Sequence, residues 1–201
     1  MRLSLLGVLL TAAACSSPSP SETSSTPTPP LPAAQRGAAA PAVPVAPQPQ
    51  PGVLSDVRIT HLFSNARQPD EFRLVLRGDS VLTASAQFSI VSAAGDTLWT
   101  ERFPATALLN YGINKYGENP TDAQRAHYIR KRAAEFFTDE AFSVRAEVPP
   151  SASPKQLNQA AWAEVKATGL PRFAYQLGEE NGQMIGYSPK RGKAVVYYTC
   201  C

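Results

Sequence analysis

Thiols and imidazoles are the side chains best suited to nucleophilic or metal chemistry near neutral pH, and this sequence has 3 cysteines and 2 histidines. Cys200 and Cys201 are adjacent, and Cys15 is the only other cysteine. A bond between neighbours closes a small strained ring, because consecutive Cα atoms lie closer together than a disulfide prefers. Two reduced thiols and pairing between chains are the alternatives. As a nucleophile either cysteine needs a base, and only His61 and His127 could supply an imidazole. Neither histidine belongs to an HExxH, and neither has a second His or Cys at ligand spacing, so no metal site is expected. His61 reads as a strand-face histidine and His127 as a solvated helix residue. Cys200 and Cys201 therefore form a candidate thiol site without an assigned base, and no catalytic residue, metal or cofactor is predicted.

The other chemistry-bearing groups are scattered. The sequence has no nucleophile elbow, phosphate-binding loop, dinucleotide fingerprint or EF-hand loop. Asp139-Glu140 and Glu179-Glu180 are adjacent carboxylates, and neighbouring residues on a strand point to opposite faces, which does not suit a glycosidase pair. Arg77-Gly78-Asp79 spells an adhesion tripeptide but falls where a turn is needed. Arg125, Arg130, Lys131 and Arg132 on one helix, with Lys190, Arg191 and Lys193 in a later turn, are a candidate binding surface if the fold joins them. Such a surface suits an anionic ligand or an acidic envelope protein. The 7 tyrosines offer amphipathic side chains for a groove. Nucleic acid is not expected as a partner, because 19 Lys and Arg against 16 Asp and Glu leave a net charge of only +3.

The N-terminal quarter is organised differently. Residues 3–14 carry no charge and end in Ala12-Ala13-Ala14 before Cys15. That run is too short to span a hydrocarbon core and matches the apolar region of a secretory signal, expected over residues 1–14. The segment Thr11-Ala12-Ala13-Ala14-Cys15 resembles the lipobox of bacterial lipoproteins, with Ala12 where leucine is usual. The resemblance covers the leader, and in style the segment after it. It implies cleavage before Cys15, attachment of acyl chains such as palmitate to that cysteine, and anchoring in membrane lipid. Ser16 after the modified cysteine is compatible with delivery to the outer membrane, facing the periplasm. Three chains make release from a bilayer very slow, whereas one is marginal.

Residues 16–52 contain 11 prolines and only two charged side chains, Glu22 and Arg36. They can neither complete a backbone hydrogen-bond ladder nor bury much surface, and are predicted to form a polyproline-rich tether within residues 15–52. At about 3.1 Å per residue its fully extended reach is roughly 100 Å.

Residues 53–201 are enough for one domain with a single core. Phe72, Leu74 and Leu76 alternate with more polar neighbours, as do Leu82, Ala84, Ala86, Phe88 and Ile90, and residues 82–103 read as a hairpin. Thr121 and Gln124 fit a capping box, opening a helix whose apolar line is Ala126, Ile129, Ala133 and Phe136 or Phe137. Ser153, Pro154 and Gln156 mark a second start, with Leu157, Ala161 and Val165 as its stripe and Gly169 as its stop, over residues 154–168. The end returns to alternation at Phe173, Tyr175 and Leu177, an Asn181-Gly182 hairpin signal and a last strand over residues 193–199. The expected fold is α+β: one domain with an antiparallel sheet and two main helices on one side. The expected function is binding or scaffolding by a membrane-tethered periplasmic lipoprotein. The alternative is a thiol-dependent enzyme using Cys200 or Cys201 with His61 or His127 on an envelope substrate.

Overall fold

The computed structural model describes residues 52–200, with Tyr111 described by its backbone alone. The expected signal, Cys15, most of the tether and Cys201 lie outside the described residues.

The fold is α+β, with two antiparallel four-stranded sheets where the alternation suggested one. Strands β1 (Val53–His61), β2 (Asp70–Arg77), β3 (Ser85–Val91) and β4 (Thr97–Pro104) make the first sheet, each paired with its sequence neighbour. The second follows the same plan with β5 (Phe142–Ser143), β6 (Arg172–Gln176), β7 (Gly182–Ser188) and β8 (Lys193–Cys200). Two short 3-10 segments, Ala105–Leu108 and Tyr111–Tyr116, lead from β4 to helix α1 (Asp122–Ala134). Helix α2 (Gln159–Lys166) lies between β5 and β6.

One apolar cluster contains side chains from both sheets. The fully buried Phe72, Leu74, Leu76, Phe88 and Ile90 of β2 and β3 share it with Phe173, Tyr175 and Ile185 of β6 and β7. Ile129 and Ala133 of α1 join it, as do Phe136 and Phe137 just past the helix. Aromatic pairs dominate: the Phe72 and Phe173 rings are 5.4 Å apart edge to face, and Phe88 lies 5.5 Å from Phe173. Alternation along β2 and β3 announced one buried face, and what fills that face is a second sheet as well as a helix. Asp70, itself buried, closes one corner by accepting from the Ser64 backbone N–H and hydroxyl at 2.6 and 3.0 Å.

The second sheet is buried on both faces. Helix α2 sets Ala161 and Val165 into a separate cluster with Val195, Tyr197 and Tyr198 of β8. The two helices therefore bury into different clusters. A shift in register between Met184 and Ile185 leaves Tyr197 without an opposite residue, and Tyr197 and Tyr198 both join the α2 cluster. Close docking is allowed by Gly186 of β7: a Cβ there would lie 3.1 Å from Val165 Cγ2 and closer still to Cγ1.

The first helix starts where its cap residues say. Thr121 N–H donates to Gln124 Oε1 at 2.8 Å and Thr121 Oγ1 accepts from Gln124 N–H at 3.3 Å. The second does not start at Ser153. Residues Pro154–Gln156 make one 3-10 turn, Leu157 then bridges to Tyr198 of β8, and Asn158 caps α2 by accepting from Ala161 N–H at 3.1 Å. The Asn158 N–H is itself taken by the Tyr197 carbonyl at 2.9 Å, a sheet-edge bond that outcompetes one more helical turn. In the β6–β7 hairpin the left-handed residue is Gly178, φ 71°, and not Gly182, which is already paired with Gln176 and Cys200.

Candidate functional site

An open cleft of about 360 Å³ lies where the second sheet meets the chain leaving α1. Its floor follows from strand register. Ala174, Met184 and Tyr198 stand side by side across β6, β7 and β8, and Gln176, Gly182 and Cys200 form the next row. Paired residues project to the same face of a sheet, so these six share one surface. Gly182 supplies the depression: a Cβ there would lie 2.9 Å from Cys200 Sγ. Arg132 and Glu135 at the end of α1, with Phe136, Thr138, Glu140 and Ala141, form the facing wall.

The charges on that wall are unequal in their commitments. Glu135 is taken by Lys131, 3.6 Å away at i,i+4 spacing. Glu140 is held below the usual carboxylate range by its own backbone N–H and by Thr138. Arg132 Nε is buried and no described residue accepts from it. Tyr175, at the back of the cleft, donates from Oη to Glu101 Oε2 at 2.5 Å and approaches Gln183 Oε1 at 3.1 Å. Burial, and then the Glu101 carboxylate, hold that phenol far above its ordinary range, so it stays neutral and serves as a donor. The resulting site combines a small apolar floor, two side-chain amides, a neutral phenol and a guanidinium with no ion-pair partner among the described residues.

No protein family, curated protein or solved structure matches this chain. Its chemistry is therefore read from the geometry.

The residues of the predicted basic surface have different surroundings. Arg132 is in the cleft beside Gly182, at the start of β7, while Lys190, Arg191 and Lys193 follow Ser188 at its other end. Six strand steps of about 3.3 Å put Ser188 about 20 Å along β7 from Gly182. Arg191 is also engaged: its Nε donates to Glu164 Oε2 of α2 at 3.0 Å, and the same carboxylate accepts from buried Ser188 Oγ at 2.6 Å. Arg125 lies 3.8 Å from Asp122, whereas Arg130, Lys190 and Lys193 are exposed.

Of the candidate thiols, Cys200 is half-buried on the cleft floor. His61 stacks on Phe142 with ring centroids 3.9 Å apart and its Nδ1 is 2.8 Å from the Leu62 carbonyl, while His127 is exposed on α1. Neither imidazole lines the cleft. Four tyrosines that suggested a groove, Tyr128, Tyr175, Tyr197 and Tyr198, are buried, and only Tyr175 and Tyr198 reach the cleft. Among the described residues no three His, Cys, Asp or Glu side chains gather at metal-binding spacing, and no helix is long and apolar enough to cross a membrane.

The cleft residues that the sequence did not single out include Gln176, Gln183 and Met184. Their signal was the β6–β7–β8 register. It depends on the Leu177 N–H bond to the Asn181 carbonyl and on Gly178, one turn earlier than the Asn-Gly pair suggested.

Proposed function

We propose that this chain is a lipid-anchored protein of the bacterial envelope, held at the outer membrane on its periplasmic side through Cys15, and that it binds a ligand or scaffolds a partner without catalysing a reaction. The cleft beside α1 is the binding site in this reading. The observation that carries it is the lining: amides, a neutral phenol and an unmatched guanidinium around an apolar floor, with no imidazole beside the thiol. A general base needs hydrogen-bond reach of the nucleophile, and His61 is occupied elsewhere by Phe142 and Leu62. The anchoring half rests on the lipobox-like residues 11–15.

Two experiments test the halves separately. Cys15→Ser should release the protein from membranes, and intact mass should find acyl chains on wild type alone; a wild-type chain processed after Ala14 without lipid refutes the anchor. Met184→Trp fills the cleft floor at a half-buried position. Crosslinking in envelopes should lose its specific adducts in that variant while thermal unfolding stays cooperative; unchanged adducts refute the cleft.

The thiol-enzyme reading keeps one specific support, the place of Cys200 on the cleft floor. It requires Cys200 to react with iodoacetamide with an apparent pKa below about 8.5 and Cys200→Ser to abolish turnover. The binding reading expects Cys200→Ser to leave ligand affinity within about threefold, a change under 1 kcal/mol.

A further inference from the structure

Strand β5 is two residues long. It pairs Phe142 with Phe173 and Ser143 with Arg172, and then ends. The remaining part of β6, Ala174 to Gln176, has no described strand on its outer side. The chain that would continue β5 along that edge turns away instead, as the 3-10 segment Asp139–Ala141. What lies along the vacated edge is the cleft, with Ala174, Tyr175 and Gln176 on one side and Glu140 and Ala141 on the other.

The backbone there is oriented for another strand. Leu177 N–H donates to the Asn181 carbonyl at 2.9 Å, toward the β7 side. Successive peptide groups of a strand alternate, so the N–H and C=O of Gln176 face outward, away from β7. An outward-facing pair at a sheet edge is a template for an extended segment, whose affinity comes from main-chain bonds and whose specificity comes from side pockets. The open stretch is three residues, roughly 10 Å of strand. The floor row beside it, Ala174, Met184 and Tyr198, offers an apolar pocket to one side chain of such a segment.

Charge identifies the end of the occupant. Both acidic side chains of the wall are committed locally, Glu135 to Lys131 and Glu140 to its own turn. Arg132, on the same wall, has no ion-pair partner among the described residues. An uncompensated guanidinium lining a peptide-length slot fits a carboxylate, which it binds through charge-assisted hydrogen bonds.

We propose that the cleft takes a short extended peptide bearing a free carboxylate, added as a strand to the outer edge of β6 with its carboxylate on Arg132. The proposal rests on the cleft being the binding site and names the ligand class for it.

The test uses isotope-labelled full-length protein and four probes: a pentapeptide of alternating valine and threonine with a free C-terminal carboxylate, its C-terminal amide, its N-methylated form, and sodium acetate. The free-acid peptide should shift the amide resonances of Ala174 and Gln176. Amidating the peptide, or substituting Arg132→Gln, should weaken binding at least about tenfold, the loss of a charge-assisted hydrogen bond. N-methylation, which removes the peptide's own donors, should abolish binding without any change to the protein. Gln176→Pro should do the same from the protein side, since an outward edge N–H is the one a proline can replace without breaking the sheet. Acid and amide forms binding alike, or N-methylation having no effect, would overturn the proposal, as would no peptide-dependent shift at millimolar concentration. If the peptide fails while Met184→Trp still removes envelope adducts, the ligand class is wrong and the cleft stands. If those adducts also persist, the binding site itself is wrong.

Discussion

Docking of α2 onto the second sheet depends on one missing side chain, and this gives the sharpest stability prediction. Val165 is 1% exposed and stands over Gly186. A methyl group added at Gly186 would meet Val165 Cγ1 well inside van der Waals contact, with Cγ2 at 3.1 Å and Cβ at 3.3 Å. A branched side chain has no rotamer that clears three contacts at once, so the helix must move outward. Overpacking of this kind costs about 1–3 kcal/mol, and the lower chain entropy of Ala in the unfolded state returns under about 1 kcal/mol. Gly186→Ala should therefore destabilise by about 1–2 kcal/mol. Val165→Ala alone should cost about 2 kcal/mol from lost burial and the cavity left. In the double variant the new methyl occupies part of that cavity, so the combined cost should fall short of the sum by about 1–2 kcal/mol. Urea titrations of the four proteins, with constant slope, measure that coupling. Additive costs, or a neutral Gly186→Ala, would show that α2 does not sit on β7 in this way.

Other changes probe the charges. Asp56 of β1 accepts from Arg73 Nε and Nη2 at 2.9 and 2.8 Å and from Arg58 Nη2 at 2.9 Å, and these bonds hold its carboxyl far below the usual range. Asp56→Asn should cost about 1 kcal/mol at pH 7, since the group is 28% exposed and screened, and the gap to wild type should close as pH falls below about 4; a gap independent of pH in acid unfolding would refute the pairing. Burial pushes the Tyr197 phenol up to about 12, so its contribution is full below pH 10 and is lost as pH rises through 12; tyrosinate absorbance that appears well before unfolding in wild type and is missing from Tyr197→Phe would contradict that burial. Arg172 buries Nε and Nη1 without acceptors, and its nearest carboxylate, Glu147, is 3.6 Å from Nη2. Arg172→Met should accordingly be neutral or stabilising by up to about 2 kcal/mol in thermal unfolding, whereas Arg172→Ala should destabilise by removing the packed stem; a large loss for Met would reveal an unseen anionic partner.

The sequence was most legible where local chemistry decides the outcome. Thr121 and Gln124 cap α1 because both groups lie within one turn. Phe72, Leu74, Phe88 and Ile90 fall on one buried face because a strand has period two. Ser153 misled because its Pro and Gln mark a helix start equally well for one 3-10 turn, and only the distant Tyr197 carbonyl diverts Asn158 to β8. Alternation also cannot say what covers an apolar face, so the division into two sheets was hidden in it. The cleft was least legible: Arg132, Gln176, Gly182 and Cys200 meet through strand register and a two-residue β5, neither of which leaves a mark in composition.

Pairing each strand with its sequence neighbour has a consequence for how the chain reaches this state. Every ladder except β5–β6, which closes across α2, closes a short loop, so most of either meander can form quickly, and bringing the two together is the slow non-local step. Until then Phe72 and Phe88 on one side and Phe173 and Tyr175 on the other face water, and each half-formed molecule carries an aromatic surface ready to aggregate. The halves are thus complementary fragments with no independent life as domains. A break in the loop before Thr121 should give two insoluble pieces that recover a cooperative fold when they are refolded together.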